Sequence, residues 1–195
     1  MKQFSHLIAR LTLGAALALA GISASAQTQA TSYAGEQARA IKALSEADVA
    51  SLLAGQGAGF AKAAELNGYP GPAHALELKD RLDLSANQLS ATEALLVSHK
   101  ARAREIGAAL VQAERVLDGL FASRNANAAA VEHATRQVGL LHAQLRAEHL
   151  NTHLTQTALL STEQVARYNF LRGYGGANPA DASGTAAPQP THRHH

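Results

Sequence analysis

Leu-Ser-x-x-Gln occurs twice in this chain, as Leu84-Ser85-Ala86-Asn87-Gln88 and as Leu160-Ser161-Thr162-Glu163-Gln164. Each copy reads as a complete helix start. The serine is placed to accept from the backbone N–H three residues on, and the glutamine there can reach back to the N–H of the cap. The leucine before each serine can staple onto an apolar residue at N4, Leu89 in one copy and Val165 in the other. Between the copies Thr92, Leu96, Ala103, Ile106, Leu110 and Leu117 recur at steps of three, four or their multiples, with His99 in the same row. That is one stripe of an amphipathic helix. Val131, Ala134, Val138, Leu141 and Leu145 make a second stripe, and Ser123-Arg124-Asn125-Ala126-Asn127 is the only break between the two, with Asn125 or Asn127 as the next cap.

The spacing therefore predicts helices over 86–122 and 128–159, each arm ~45–55 Å long. They fold back on each other as a long antiparallel helical hairpin. Ser161 starts a last short helix that ends at Gly173. No segment alternates with the period of a strand, so the expected fold class is all-α, a hairpin with short flanking helices, paired as a dimer. A core of Ala, Leu and Val, with four Phe, four Tyr and no Trp, suits close helix packing and leaves apolar surface that oligomerisation would cover.

Upstream, Leu44-Ser45-Glu46-Ala47-Asp48-Val49 repeats the staple-and-cap pattern and starts a helix that runs into Gly55-Gln56-Gly57. A helical piece over 58–66 stops at Asn67-Gly68. Tyr69-Pro70-Gly71-Pro72 forces a turn, and Pro72 is suited to the first position of a further helix, over about 73–82. Tyr69–Pro72 with His74 reads as a rigid corner that aims this helix at the hairpin, in preference to a recognition loop.

The first residues form an export leader. Lys2 and Arg10 are its basic part, Leu11 to Ile22 is apolar and uncharged, and Ala24-Ser25-Ala26 supplies the small-x-small cleavage pattern. A dozen apolar residues fall short of the ~20 that span a bilayer, so the expected products are residues 1–26 as a signal peptide and a periplasmic protein without a stable membrane anchor. Residues 27–35 read as a flexible lead-in, 36–69 as an N-terminal helical extension, 70–174 as the hairpin domain, and 175–195 as a disordered Pro/Ala-rich tail. Cysteine is absent, which excludes disulfides, thiolate metal sites and a lipid-anchored cysteine. Of 17 Lys and Arg, two lie in the leader, leaving the mature chain with 15 against its 15 Asp and Glu. A near-neutral chain offers no basic face for nucleic acid.

In its leader, its two motif copies and the hairpin between them, the chain resembles the Spy/CpxP family of periplasmic stress proteins, known by its LTxxQ motif. Leu84, Ser85 and Gln88, and Leu160, Ser161 and Gln164, occupy the motif positions, with Ser for Thr in both copies. Leu82-Asp83-Leu84 and Val165-Ala166-Arg167-Tyr168 are also similar, and the likeness covers about residues 70–174. The resemblance implies a thin, curved, dimeric protein that holds unfolded or misfolded envelope proteins without ATP, or that acts as adaptor to an envelope sensor protein. It also implies kinship with periplasmic heavy-metal sensors. The chain departs from the family in lacking a basic cradle and a Met-rich surface.

Histidines are the chemically pointed residues. His142, His149 and His153 fall within about 40° on one helix face. With the turn centred on Asn125, facing residues carry numbers that add to about 250, so His99 faces position 151, between His149 and His153. Those three imidazoles, with Glu148 or water, could bind a Zn, Cu or Ni ion. His142 faces Gly107 and Ala108, outside that set. The plainer reading is that these are neutral, hydrogen-bonded seam histidines. His192, His194 and His195 make a second, weak tail site. No required cofactor is expected. Nucleophile elbow, H-E-x-x-H and phosphate-binding glycine loop are all missing, so the chain reads as a non-enzyme. Arg102, Arg104, Arg115, Arg136 and Arg146 interleave with acids along both arms as a solvated face.

Overall fold

The computed structural model describes residues 33–175. The leader, most of the lead-in and the tail with His192, His194 and His195 lie outside the described residues. Within them the chain is all-α, as the periodicity implies: six α-helices, one 3-10 turn and no strand, beyond an isolated bridge between Ile41 and Leu44. The helices are α1 Glu46–Leu53, α2 Lys62–Glu65, α3 Pro72–Glu77, α4 Ala86–Ala122, α5 Ala128–Leu159 and α6 Thr162–Leu171. No described helix is long and apolar enough to cross a membrane.

Local chemistry sets these boundaries. Ser45, Ser85 and Ser161 each cap through a closed box, with Asp48, Gln88 and Gln164 returning the bond to the cap's own N–H. Asn127, not Asn125, caps α5 by accepting from the Ala130 N–H at 3.0 Å. α2 and α3 are shorter than their sequence pattern suggests. Ala58 (φ 41°) and Gly59 (φ 79°) are left-handed, which interrupts helix before Lys62, and after Glu77 the chain continues only as turns.

At the end of α1 the Gln56 N–H donates to the Ser51 carbonyl (3.0 Å) and the Gly55 N–H to that of Leu52 (3.1 Å). This paired closure needs its left-handed residue, here Gly55 at φ 64°. The same closure ends α4, from Asn125 to Leu120 and from Arg124 to Phe121, but there Arg124 supplies the positive φ of 58°.

Contacts between α4 and α5 climb one helix as they descend the other. The Gln88 amide donates to the Leu159 carbonyl (2.9 Å), Gln156 to Thr92 (3.2 Å), and His99 meets Thr152 and Glu148. Two apolar clusters hold the chain. In the first, Ile41 and Leu52 from the N-terminal segment bury against Ala103, Ile106, Leu110 and Val111 of α4 and Leu145 of α5. The extension thus supplies part of the core over one face of the long helices. Gly107 permits this, because a Cβ there would collide with the carbonyl oxygen of Leu52. In the second, Ala75, Leu82 and Tyr168 bury together and tie α3 to α6.

The motif glutamines meet beside that second cluster. Gln88 Nε2 donates to Gln164 Oε1 (2.7 Å) and Gln164 Nε2 to Gln88 Oε1 (3.1 Å). The Gln164 amide also donates to the Leu82 carbonyl (3.1 Å). One side chain therefore closes its own helix start and clamps the start of the other helix.

Candidate functional site

The first element of the site is the α5 face carrying His149 and His153, one turn apart. Opposite it, α4 presents His99. The rings of His99 and His149 touch edge to face, with centroids 4.6 Å apart. Phe60, from the loop between α1 and α2, stacks flat on His149 at 5.6 Å and leans on His142 at 5.9 Å. His149 is 3% exposed, and its Nε2 is buried without a partner. Burial, reinforced by the neighbouring His99, lowers its pKa from 6.5 to about 4, so the ring is neutral at pH 7.

Hydrogen bonds fix the other two tautomers. The Thr152 hydroxyl donates to the Glu148 carbonyl (2.9 Å), leaving its oxygen to accept from His99 Nδ1–H, also at 2.9 Å. Glu148 Oε1, 3.1 Å from the same nitrogen, is a second acceptor. His153 Nδ1–H donates to the Tyr69 carbonyl at 2.8 Å. A carbonyl only accepts, so the proton must be on Nδ1. When neutral, His99 and His153 both present Nε2 as a lone pair.

Glu65 of α2 completes the floor. Its Oε1 accepts from Tyr168 (2.6 Å) and Tyr174 (3.0 Å), with Arg172 Nε 3.4 Å away. Burial and this carboxylate push the Tyr168 phenol well above its ordinary pKa, which keeps it a donor. The same phenol accepts from the Gly71 N–H at 3.4 Å. Glu65 Oε2 lies 3.6 Å from His153 Nδ1 but is buried with no donor. Gly71 is required at the corner, since a Cβ there would lie 2.8 Å from the His153 ring.

His99, His149, Thr152, His153, Glu65 and Gly71 line one cleft of about 530 Å³ beneath the 54–62 segment and the 71–74 corner. His99, His149 and His153 all reach it. His142 does not; it meets Phe60 instead. As a metal centre the trio is not closed. His99 and His153 spend their Nδ1 atoms on oxygen acceptors, and among the described residues no three His, Cys, Asp or Glu side chains converge on one point. Glu148 is held by His99 and does not line the cleft. Lys62, Lys100 and Arg104 also border the space, and positive charge there opposes a cation.

Sequence reasoning missed Phe60, Glu65 and these three cations as members of the site. Phe60 and Glu65 come from the extension, across a fold the helix periods do not specify. The only signal was Glu65 lying beside the Asn67-Gly68 stop.

A second, shallower groove of about 340 Å³ lies along the long helices, lined by Ala109, Gln112, Ala113 and Val116 of α4 and by His133, Ala134, Gln137 and Leu141 of α5. Val116, in its wall, is 52% exposed. No family model, curated protein or solved structure matches the chain.

Proposed function

We propose that the protein is an exported, non-enzymatic helical protein of the Spy/CpxP type, which holds unfolded envelope proteins without ATP or serves an envelope sensor as adaptor. In this reading α4 and α5 are the arms of an antiparallel hairpin that pairs as a dimer in the periplasm.

The carrying observation is the shallow apolar groove on the long helices. It is lined by the small Ala109, Ala113 and Ala134 and by exposed Val116, and is joined at its edge by Arg115, which donates to Gln112 at 2.6 Å. A groove of this shape suits loose, non-directional burial of extended apolar segments. The stripe through Ala103, Ile106 and Leu110 is already covered by Ile41 and Leu52, so clients meet the remaining face. The two serine caps and the glutamine pair support the motif likeness.

Metal binding is the competing reading. In its favour are three imidazoles on one cleft, two with Nε2 left as the lone pair. Against it stand the open geometry and the bordering cations.

The test is aggregation of several unrelated clients, followed by light scattering with the mature chain in excess and no nucleotide. The wild type should suppress aggregation, and Ala109→Asp/Val116→Asp should lose most of that effect while keeping its helical signal. Failure of the wild type on every client rejects the reading.

A further inference from the structure

We infer that the 530 Å³ cleft is a binding site for a small organic acid carrying a hydrogen-bond donor next to its carboxylate, an α-amino or α-hydroxy acid. The volume falls within the range of small-molecule sites and far exceeds what one ion or water needs. The chemistry of the walls then selects the ligand.

Its mouth is cationic. Lys62, Lys100 and Arg104 border it, and none has a carboxylate within ion-pair distance among the described residues. Arg104 is anchored through Nε on the Ala54 carbonyl at 3.3 Å, so its terminal nitrogens stay available. Lys100 and Arg104 lie one turn apart on α4, and Lys62 approaches from α2. A carboxylate answers this arrangement.

The floor asks for something else. Glu65 is the one carboxylate lining the cleft, and its Oε2 is buried with no donor. His149, also in the cleft wall and 3% exposed, has an unpartnered Nε2. A buried acceptor left unpaired is costly, and an ammonium or hydroxyl group on the ligand satisfies it. A dianion such as phosphate would bring negative charge against Glu65. A bare metal ion would face three cations across donors that do not converge. Leu96, Pro72 and Ala61 leave room for an apolar side chain.

This inference stands apart from client holding and is tested separately. The mature chain, labelled at histidine, is titrated with leucine, its hydroxy-acid analogue, its desamino acid, and isoamylamine, which lacks the carboxylate. Imidazole resonances of His99, His149 and His153 should move saturably with leucine or the hydroxy acid, at least about tenfold more tightly than with the other two. Tighter binding of leucine assigns an ammonium partner to Glu65, and parity of the two assigns a hydroxyl-type bond.

Lys100→Ala/Arg104→Ala removes two exposed side chains, with the Arg104–Ala54 bond as its one structural loss, and should abolish the preference for the acids over the amine while the helical signal is kept. Glu65→Gln should erase any preference for leucine over the hydroxy acid. Equal binding of amine and acids, no saturable shift with any probe, or tighter binding of Zn²⁺ alone to the same resonances would overturn the inference.

Discussion

His149 should make the protein acid-sensitive in a defined window. Its folded pKa of about 4 lies below the ordinary 6.5, so between those values the unfolded chain binds the proton and the folded chain does not. Stability therefore rises with pH across that window, and the penalty grows as pH falls from about 6.5 towards 4. From pH 7 to pH 5 this one ring should remove about 2 kcal/mol, and the full shift corresponds to about 3 kcal/mol. The cause is burial first and the neighbouring His99 second, with Glu148 opposing and His153 adding a further lowering.

Urea unfolding of the wild type and of His149→Phe at both pH values isolates the contribution. Phenylalanine keeps a flat ring against Phe60 but cannot titrate. The wild type should lose about 2 kcal/mol more than the variant, and the His149 imidazole should titrate by NMR near pH 4. Equal losses in the two proteins, or a midpoint above 6, would refute the claim that this ring is buried and neutral.

Two mid-helix glycines should respond in opposite directions. Gly139→Ala, where an added Cβ meets nothing within 4 Å, should stabilise α5 by ~0.5–1 kcal/mol. Gly107→Ala gains the same propensity but drives its Cβ into the Leu52 backbone. Overpacking of ~1–3 kcal/mol should win, so thermal melts should fall for one and rise for the other. For the glutamine pair, a double-mutant cycle with Gln88→Ala and Gln164→Ala should give a coupling of ~0.5–2 kcal/mol, since the two share one partly buried network; additive losses would mean that the amides do not act together.

What could be read in the sequence was what depends on neighbours a few residues away. Ser85, Ser161 and Asn127 fix helix starts through bonds to residues three positions on, so α4, α5 and α6 begin where their caps stand. The α-helical period similarly placed Thr92, Ala103, Ile106 and Leu110 on one buried row. The approach of His99 to His149 needed one more input, the centre of the turn.

Beyond that reach the signal faded. His153 turns to the carbonyl of Tyr69, 84 positions away, and no periodicity on α5 encodes that partner. Glu65 draws on Tyr168 and Tyr174 from the far end of the chain. Ile41 and Leu52 cap the apolar stripe because Gly107 allows the approach, a fit that requires both backbones in place. Ala58 takes a left-handed conformation where glycine is usual, so sequence alone overextended the helix before Lys62.

The proposed client surface, the shallow groove of the long helices, is open to a direct test. Methyl NMR of residues 27–195 with an unfolded client tests it. Signals of Ala109, Val116 and Leu141 should shift or broaden with client, while those of Ile41 and Leu52, buried against α4, stay fixed. Perturbation confined to the buried cluster, or no perturbation of any of these groups at saturating client, would contradict it.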